Sequence, residues 1–80
     1  MSRKNIRPKS VSVDWKTVGR RIRELRGFEL TQADLAIRIG VSQGYMSTVE
    51  HGQGEIGAEL LLAISREFGK SIEWLLTGEE

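Results

Sequence analysis

The chain has 80 residues, of which 39% are hydrophobic and 29% charged, with a formal net charge of +1 and no cysteine. That length holds one small domain, and its longest apolar run, Leu60 to Ile64, is too short to cross a bilayer. The lack of cysteine excludes disulfides and thiolate metal sites and suits a reducing cytoplasm, and a single histidine, His51, leaves no basis for a His-built metal centre. No cofactor, small-molecule ligand or membrane partner is implied.

The charge is unevenly placed. Residues 1–54 carry ten basic and five acidic side chains, a balance of +5, whereas residues 55–80 carry two basic and six acidic ones, a balance of −4. Such a division suits a molecule with one face for a polyanion, although an uneven surface also arises without a partner.

Residues 1–13 contain Pro8 and three serines without hydrophobic periodicity. They read as a flexible basic arm ahead of a domain over 14–80. The arm has no apolar stretch behind its charges and so does not read as a secretory signal. Asp14 is placed to cap a helix from Trp15, and Val18, Ile22 and Leu25 recur at helical spacing. Gly27 ends that helix. Thr31, with Asp34 three residues on, resembles a capping box with a shorter acid. A second helix follows with Leu35, Ala36 and Ile39 inward, stopped by Gly40. Ser42 caps a third helix over Gln43 to about Glu50, with Met46 and Val49 inward. Gly52 and Gly54 mark a turn. A fourth helix is expected over Ala58 to Phe68, with Ala58, Leu61, Ile64, Ser65 and Phe68 on its inner face and Gly69 closing it. Ser71 caps a short fifth helix, Ile72 to Leu76, closed by Gly78. No segment alternates as a strand does, so no sheet is expected.

The stretch QADLAIRIGVSQGYMSTVEH, Gln32 to His51, places two short helices around a turn. For a helix-turn-helix they cross steeply. Ala36 is small enough for the crossing, Gly40 accepts the positive φ of the turn, and Leu35, Ile39, Val41, Met46 and Val49 fill the wedge. No single position defines this geometry; the set does.

The chain resembles the lambda-repressor-like, Cro-type helix-turn-helix proteins, also called the xenobiotic-response-element family. The resemblance covers about residues 17–78 and is carried by VGRRIRELR (18–26), LTQADLAIRIGVSQGYMSTVEHG (30–52) and LLAISREFGKSIEWLL (61–76). It implies an all-α, compact five-helix domain with the helix-turn-helix at 32–51, operator binding, and entry of the third helix into the major groove. Three departures stand out. The RGFEL link after the first helix is one residue shorter than usual, Ile56 stands where the family commonly has proline before the fourth helix, and Gly44 occupies an early recognition-helix position where a contacting side chain is common.

The resemblance gives individual residues roles. Gln43 begins the recognition helix, where side chains reach base edges, and glutamine can bond adenine N6 and N7 together. Gly44, Ser47 and Thr48 complete the base-reading set, Gly44 through a closer approach of the backbone and Thr48 through its hydroxyl or its methyl. Ser47 is otherwise a short polar surface residue. Gln32 matches a family position that contacts phosphate. Ser42 and the amides after it can also face a phosphate, because a helix N-terminus is electropositive. Tyr45 either contacts the backbone of DNA or packs against a neighbouring helix, and His51 is either a phosphate contact or a plain surface histidine. Arg20 and Arg21 are candidate phosphate neutralisers. The family pattern pairs Arg26 with Glu50, against the alternative of Arg26 on a phosphate.

Three functions compete at this level. The first is a transcriptional regulator, a repressor on a palindromic operator, bound as a homodimer to double-stranded DNA. Leu60, Leu62 and Trp74, beyond what one helical stripe needs, either cover the core or build a dimer patch. The second is a protein-interaction or antitoxin-like module of the same fold. The third, an enzyme, is opposed by the lack of cysteine, a single histidine, no glycine-rich phosphate loop and no room for a substrate cleft. The ending WLLTGEE suits either a whole protein or the front of a longer one.

Overall fold

The computed structural model describes residues 11–79, so most of the expected arm lies outside the described residues. Five α-helices follow one another: α1 (Trp15–Arg26), α2 (Gln32–Ile39), α3 (Gln43–Glu50), α4 (Ala58–Phe68) and α5 (Ile72–Thr77). There is no strand among the described residues.

Helices this short are marginal alone, and side-chain caps mark four of the five starts. Asp14 accepts from the Lys16 amide at 3.2 Å and from the Thr17 hydroxyl at 2.8 Å. That hydroxyl, helped by the backbone amides of Thr17 and Lys16 and the charge of Arg20, holds the Asp14 carboxyl below its ordinary pKa against the opposing effect of desolvation. Thr31 and Asp34 form a full capping box, with the Asp34 amide donating to Thr31 Oγ1 at 3.0 Å and the Thr31 amide donating to Asp34 Oδ2 at 3.1 Å. Ser42 accepts from the Tyr45 amide at 3.0 Å and Ser71 from the Trp74 amide at 2.9 Å. Between α2 and α3 the chain reverses at Gly40, whose φ of 91° suits glycine. The amides of Gly40 and Val41 both return to the Ala36 carbonyl, at 2.7 and 3.0 Å, which closes α2 within one residue of the turn.

The core draws on every helix. Val18 and Ile22 come from α1, Leu35 and Ala36 from α2, and Met46 and Val49 from α3. Leu60, Leu61 and Ile64 come from α4, and Leu75 from α5. Ile56, in the place of the family's proline, is buried among them. The pairing α2–α3 rests on α1 and α4, while α5 closes the bundle against α1 and α4. Ile39 and Val41 are half-buried at the wedge.

The expected inner face of α4 needs correction. Ala58 is exposed and Leu60 is buried beside Leu61 and Ile64. Because α4 packs against both α2 and α5, its apolar stripe is wider than a single-partner helix requires and is rotated toward Leu60. Helix α5 also runs one residue further than expected, to Thr77.

Helices α1 and α3 approach more closely than their sequences suggest. A methyl built on Gly19 would lie 2.5 Å from the Val49 carbonyl oxygen and 2.6 Å from that of Glu50. At Gly52, with φ 67°, a side chain would run into the Lys16 backbone. Glycine at these two positions lets α1 lie directly under the end of α3. Gly19→Ala is therefore expected to lower unfolding free energy by about 1–3 kcal/mol, the usual cost of overpacking, in urea denaturation followed by circular dichroism.

Candidate nucleic-acid interface

Helix α3 has eight residues and is roughly 12 Å long at 1.5 Å per residue, a length that fits a DNA major groove. Its inner side is fixed by Met46, at 0% exposure, and Val49, at 4%. Gln43, Gly44 and Tyr45 are exposed, and Ser47 and Thr48 are half-buried on the outer edge. Residues 43, 44, 47 and 48 follow helical spacing, so they share one face. The hydroxyl of Thr48 donates to the Gly44 carbonyl at 3.2 Å. At the end of α3, His51 Nδ1 lies 2.8 Å from the Ser47 carbonyl. A carbonyl only accepts, so that nitrogen carries the proton in this contact.

Gly44 has nothing within 4 Å of the place a Cβ would occupy. Neither packing nor backbone conformation within the domain requires glycine there. Gly44→Ala is accordingly expected to raise unfolding free energy by about 0.5–1 kcal/mol, read as an increase in Tm.

The end of α3 is held by a buried carboxylate. The Glu50 side chain is 1% exposed. Arg26 Nε donates to Oε2 and Arg26 Nη2 to Oε1, each at 2.8 Å, in a bidentate fork. Arg26 Nη1 also donates to the Leu30 carbonyl at 3.0 Å. Gln32 Nε2 donates to Glu50 Oε1 at 3.0 Å. The last residue of α1, the first of α2 and the last of α3 thus meet on one group. No buried side-chain polar atom among the described residues lacks a partner, so the burial cost of this charge is met by hydrogen bonds.

Burial on its own would raise the Glu50 pKa. The hydrogen bonds from Arg26 and Gln32, with the charges of Arg26 and Arg23, outweigh it and hold the carboxyl below its ordinary 4.5. The native pKa is thus the lower one, and the stabilisation is fully present above the unfolded pKa of 4.5. It is lost as pH falls through the native value. Acid titration of unfolding free energy is expected to show this decline in the wild type and a shallower one in Glu50→Gln.

The remaining candidates divide. Arg20 is exposed on α1, and Ser42 is exposed at the start of α3, its Oγ engaged by the Tyr45 amide. Arg21 turns to α5: its Nη1 donates to the Leu75 carbonyl at 3.0 Å, and its guanidinium flanks Gly78. There it satisfies a carbonyl at a helix end and favours the helix dipole. Gln32 is engaged with Glu50, a bond that the resemblance to phosphate-contacting glutamines does not signal. Arg23, exposed on α1, acts on Glu50 through its charge. Its nearness to α3 follows from the α1–α3 approach at Gly19, which sequence spacing does not show. No cluster of three metal-ligating side chains occurs among the described residues, and no described helix is long and apolar enough to cross a membrane.

A short helix anchored through its inner side, with a polar outer edge and a tight turn before it, defines the helix-turn-helix class of DNA-binding domain. The family model described as Helix-turn-helix matches residues 20–75. Among solved structures, the P22 c2 repressor, in complex with a synthetic operator, is similar with a TM-score of 0.71 and 36% identity, covering 78% of this chain and 96% of that one. The restriction-modification controller protein C.AhdI from Aeromonas hydrophila is similar with a TM-score of 0.70 and 30% identity, covering 79% of this chain and 97% of that one. A propionyl-CoA carboxylase regulator from Cereibacter sphaeroides is 37% identical over 62 residues, which is 76% of this chain. The chain spans only 13% of the length of that regulator. The chain belongs to the lambda-repressor-like, xenobiotic-response-element family of helix-turn-helix transcriptional regulators.

Proposed function

We propose that the domain binds double-stranded DNA with α3 in the major groove and acts in the cytoplasm as a repressor on a palindromic operator. The observation that carries this reading is the two-sidedness of α3. Met46, Val49 and Glu50 fasten it to the bundle, and Gln43, Gly44, Ser47 and Thr48 are left on the outer edge. Among the described residues, the side-chain hydrogen bonds on that edge stay within α3 and its cap, Thr48 to the Gly44 carbonyl and Ser47 with His51.

Gln43, Gly44, Ser47 and Thr48 are assigned to base edges. With its hydroxyl turned onto the helix, Thr48 reads through its methyl, which suits a thymine methyl. Gln32, Ser42, Tyr45, His51 and Arg20 are assigned to phosphates, which supply affinity while bases supply sequence. Arg21 is assigned to phosphate as well, with its Nη1 spent on the Leu75 carbonyl. A single helix of this length reads a short half-site, so two copies on a two-fold operator supply the rest. Leu62, 40% exposed on α4, and Trp74, half-buried beneath the Lys70 ammonium at 4.7 Å, are available to a pairing surface.

The test begins with duplexes selected from a random pool. Fluorescence anisotropy should then show Gln43→Ala weakening the selected duplex by roughly 1–3 kcal/mol while an unrelated duplex is bound as before. Equal loss on both duplexes removes Gln43 from base reading. A wild-type protein that binds no duplex, at low salt as at high, contradicts the DNA reading and favours a protein-interaction module.

A further inference from the structure

The amide of Gln32 can turn either a donor or an acceptor toward whatever lies before α2. In the structure that choice is fixed. Nε2 donates to Glu50 Oε1 at 3.0 Å, and an ionised carboxylate only accepts. A flip of the amide would set oxygen against oxygen. The carboxylate is itself held in one plane, because the Arg26 fork occupies both of its oxygens at 2.8 Å. Arg26 is steadied in turn by the Leu30 carbonyl. One proton of Nε2 is therefore used inside the domain, and the second has a defined direction.

We propose that Glu50 is a positioning residue for phosphate recognition. Resting on the DNA-binding reading above, it holds the Gln32 amide so that the second Nε2 proton donates to a phosphate oxygen while α3 lies in the groove. Without Glu50 the amide is free to present its carbonyl oxygen, which repels a phosphate. The same carboxylate ends α3 and is buried against α1, so it sets the phosphate contact of α2 and the seating of α3 in one register. Arg26 acts on Gln32 through Glu50.

Two measurements test this. In the free protein, the two Gln32 Nε2 protons should give widely separated NMR signals, one of them shifted downfield and slow to exchange. In Glu50→Gln the pair should collapse toward the values of exposed glutamines. On DNA, dissociation constants are compared for wild type, Gln32→Met, Glu50→Gln and the double variant, on a selected and an unrelated duplex. Gln32→Met leaves the Arg26–Glu50 fork intact and should weaken both duplexes alike, by roughly 2- to 10-fold, the scale of one hydrogen bond. Glu50→Gln should cost a similar factor, and the double variant should bind no worse than the weaker single one. Losses that multiply in the double variant overturn the positioning role, as does Gln32→Met with unchanged affinity, a result that stands even where Glu50→Gln is too unstable to measure. Absence of all duplex binding by the wild type overturns the DNA reading itself, and the free-protein NMR signals separate that failure from a misassigned Gln32.

Discussion

Glu50 is a charge placed where the fold would otherwise have only apolar contact, at the junction of three helix ends. Taking a carboxylate out of water costs several kcal/mol unless its oxygens are occupied. Here both are, by Arg26 from α1 and by Gln32 from α2. An apolar residue at 50 would pack the same space without fixing direction, because hydrophobic contact is non-directional. The bidentate fork specifies both distance and plane, and it does so at the last residue of the helix assigned to base edges.

Around that junction the molecule divides its labour by helix face. The inner side of α3 contributes Met46 and Val49 to a core that all five helices share, and the turn at Gly40 sets it against α2. The close approach at Gly19 brings the α1 backbone under the carbonyls of Val49 and Glu50. A helix of two turns has little stability of its own. Its orientation is set by the neighbours it cannot move away from, and the side-chain hydrogen bonds of its outer residues stay local to the helix. A polar edge turned outward and held rigidly on a small domain is what sequence reading in a groove requires.

Local chemistry was legible in the sequence, and long-range geometry was not. The caps Asp14, Thr31, Ser42 and Ser71 and the closing glycines fix the helix bounds to within a residue, because each acts on atoms two to four residues away. The inner positions of α2 and α3 were legible from periodicity. Periodicity does not place Ala58 and Leu60 on the correct faces of α4, because two partners, not one, cover that helix. The need for glycine at 19 and 52 was invisible, since it arises from backbone thirty or more residues distant. Arg21 is a candidate phosphate neutraliser from sequence, and its bond to the carbonyl of Leu75, 54 residues along the chain, is not legible there. The pairing of Arg26 with Glu50 came from family resemblance, and the third member, Gln32, required the coordinates.

The outer edge of α3, and not the acidic α4–α5 side, is the surface we propose meets DNA. Amide chemical-shift mapping by NMR, with the labelled domain titrated against a duplex recovered from a random pool, tests it most directly. The largest shifts are expected at Gln32 and from Ser42 to Thr48, with the Glu59–Glu79 region little changed. Shifts concentrated on α4 and α5, with Gln43, Gly44, Ser47 and Thr48 undisturbed, would contradict it.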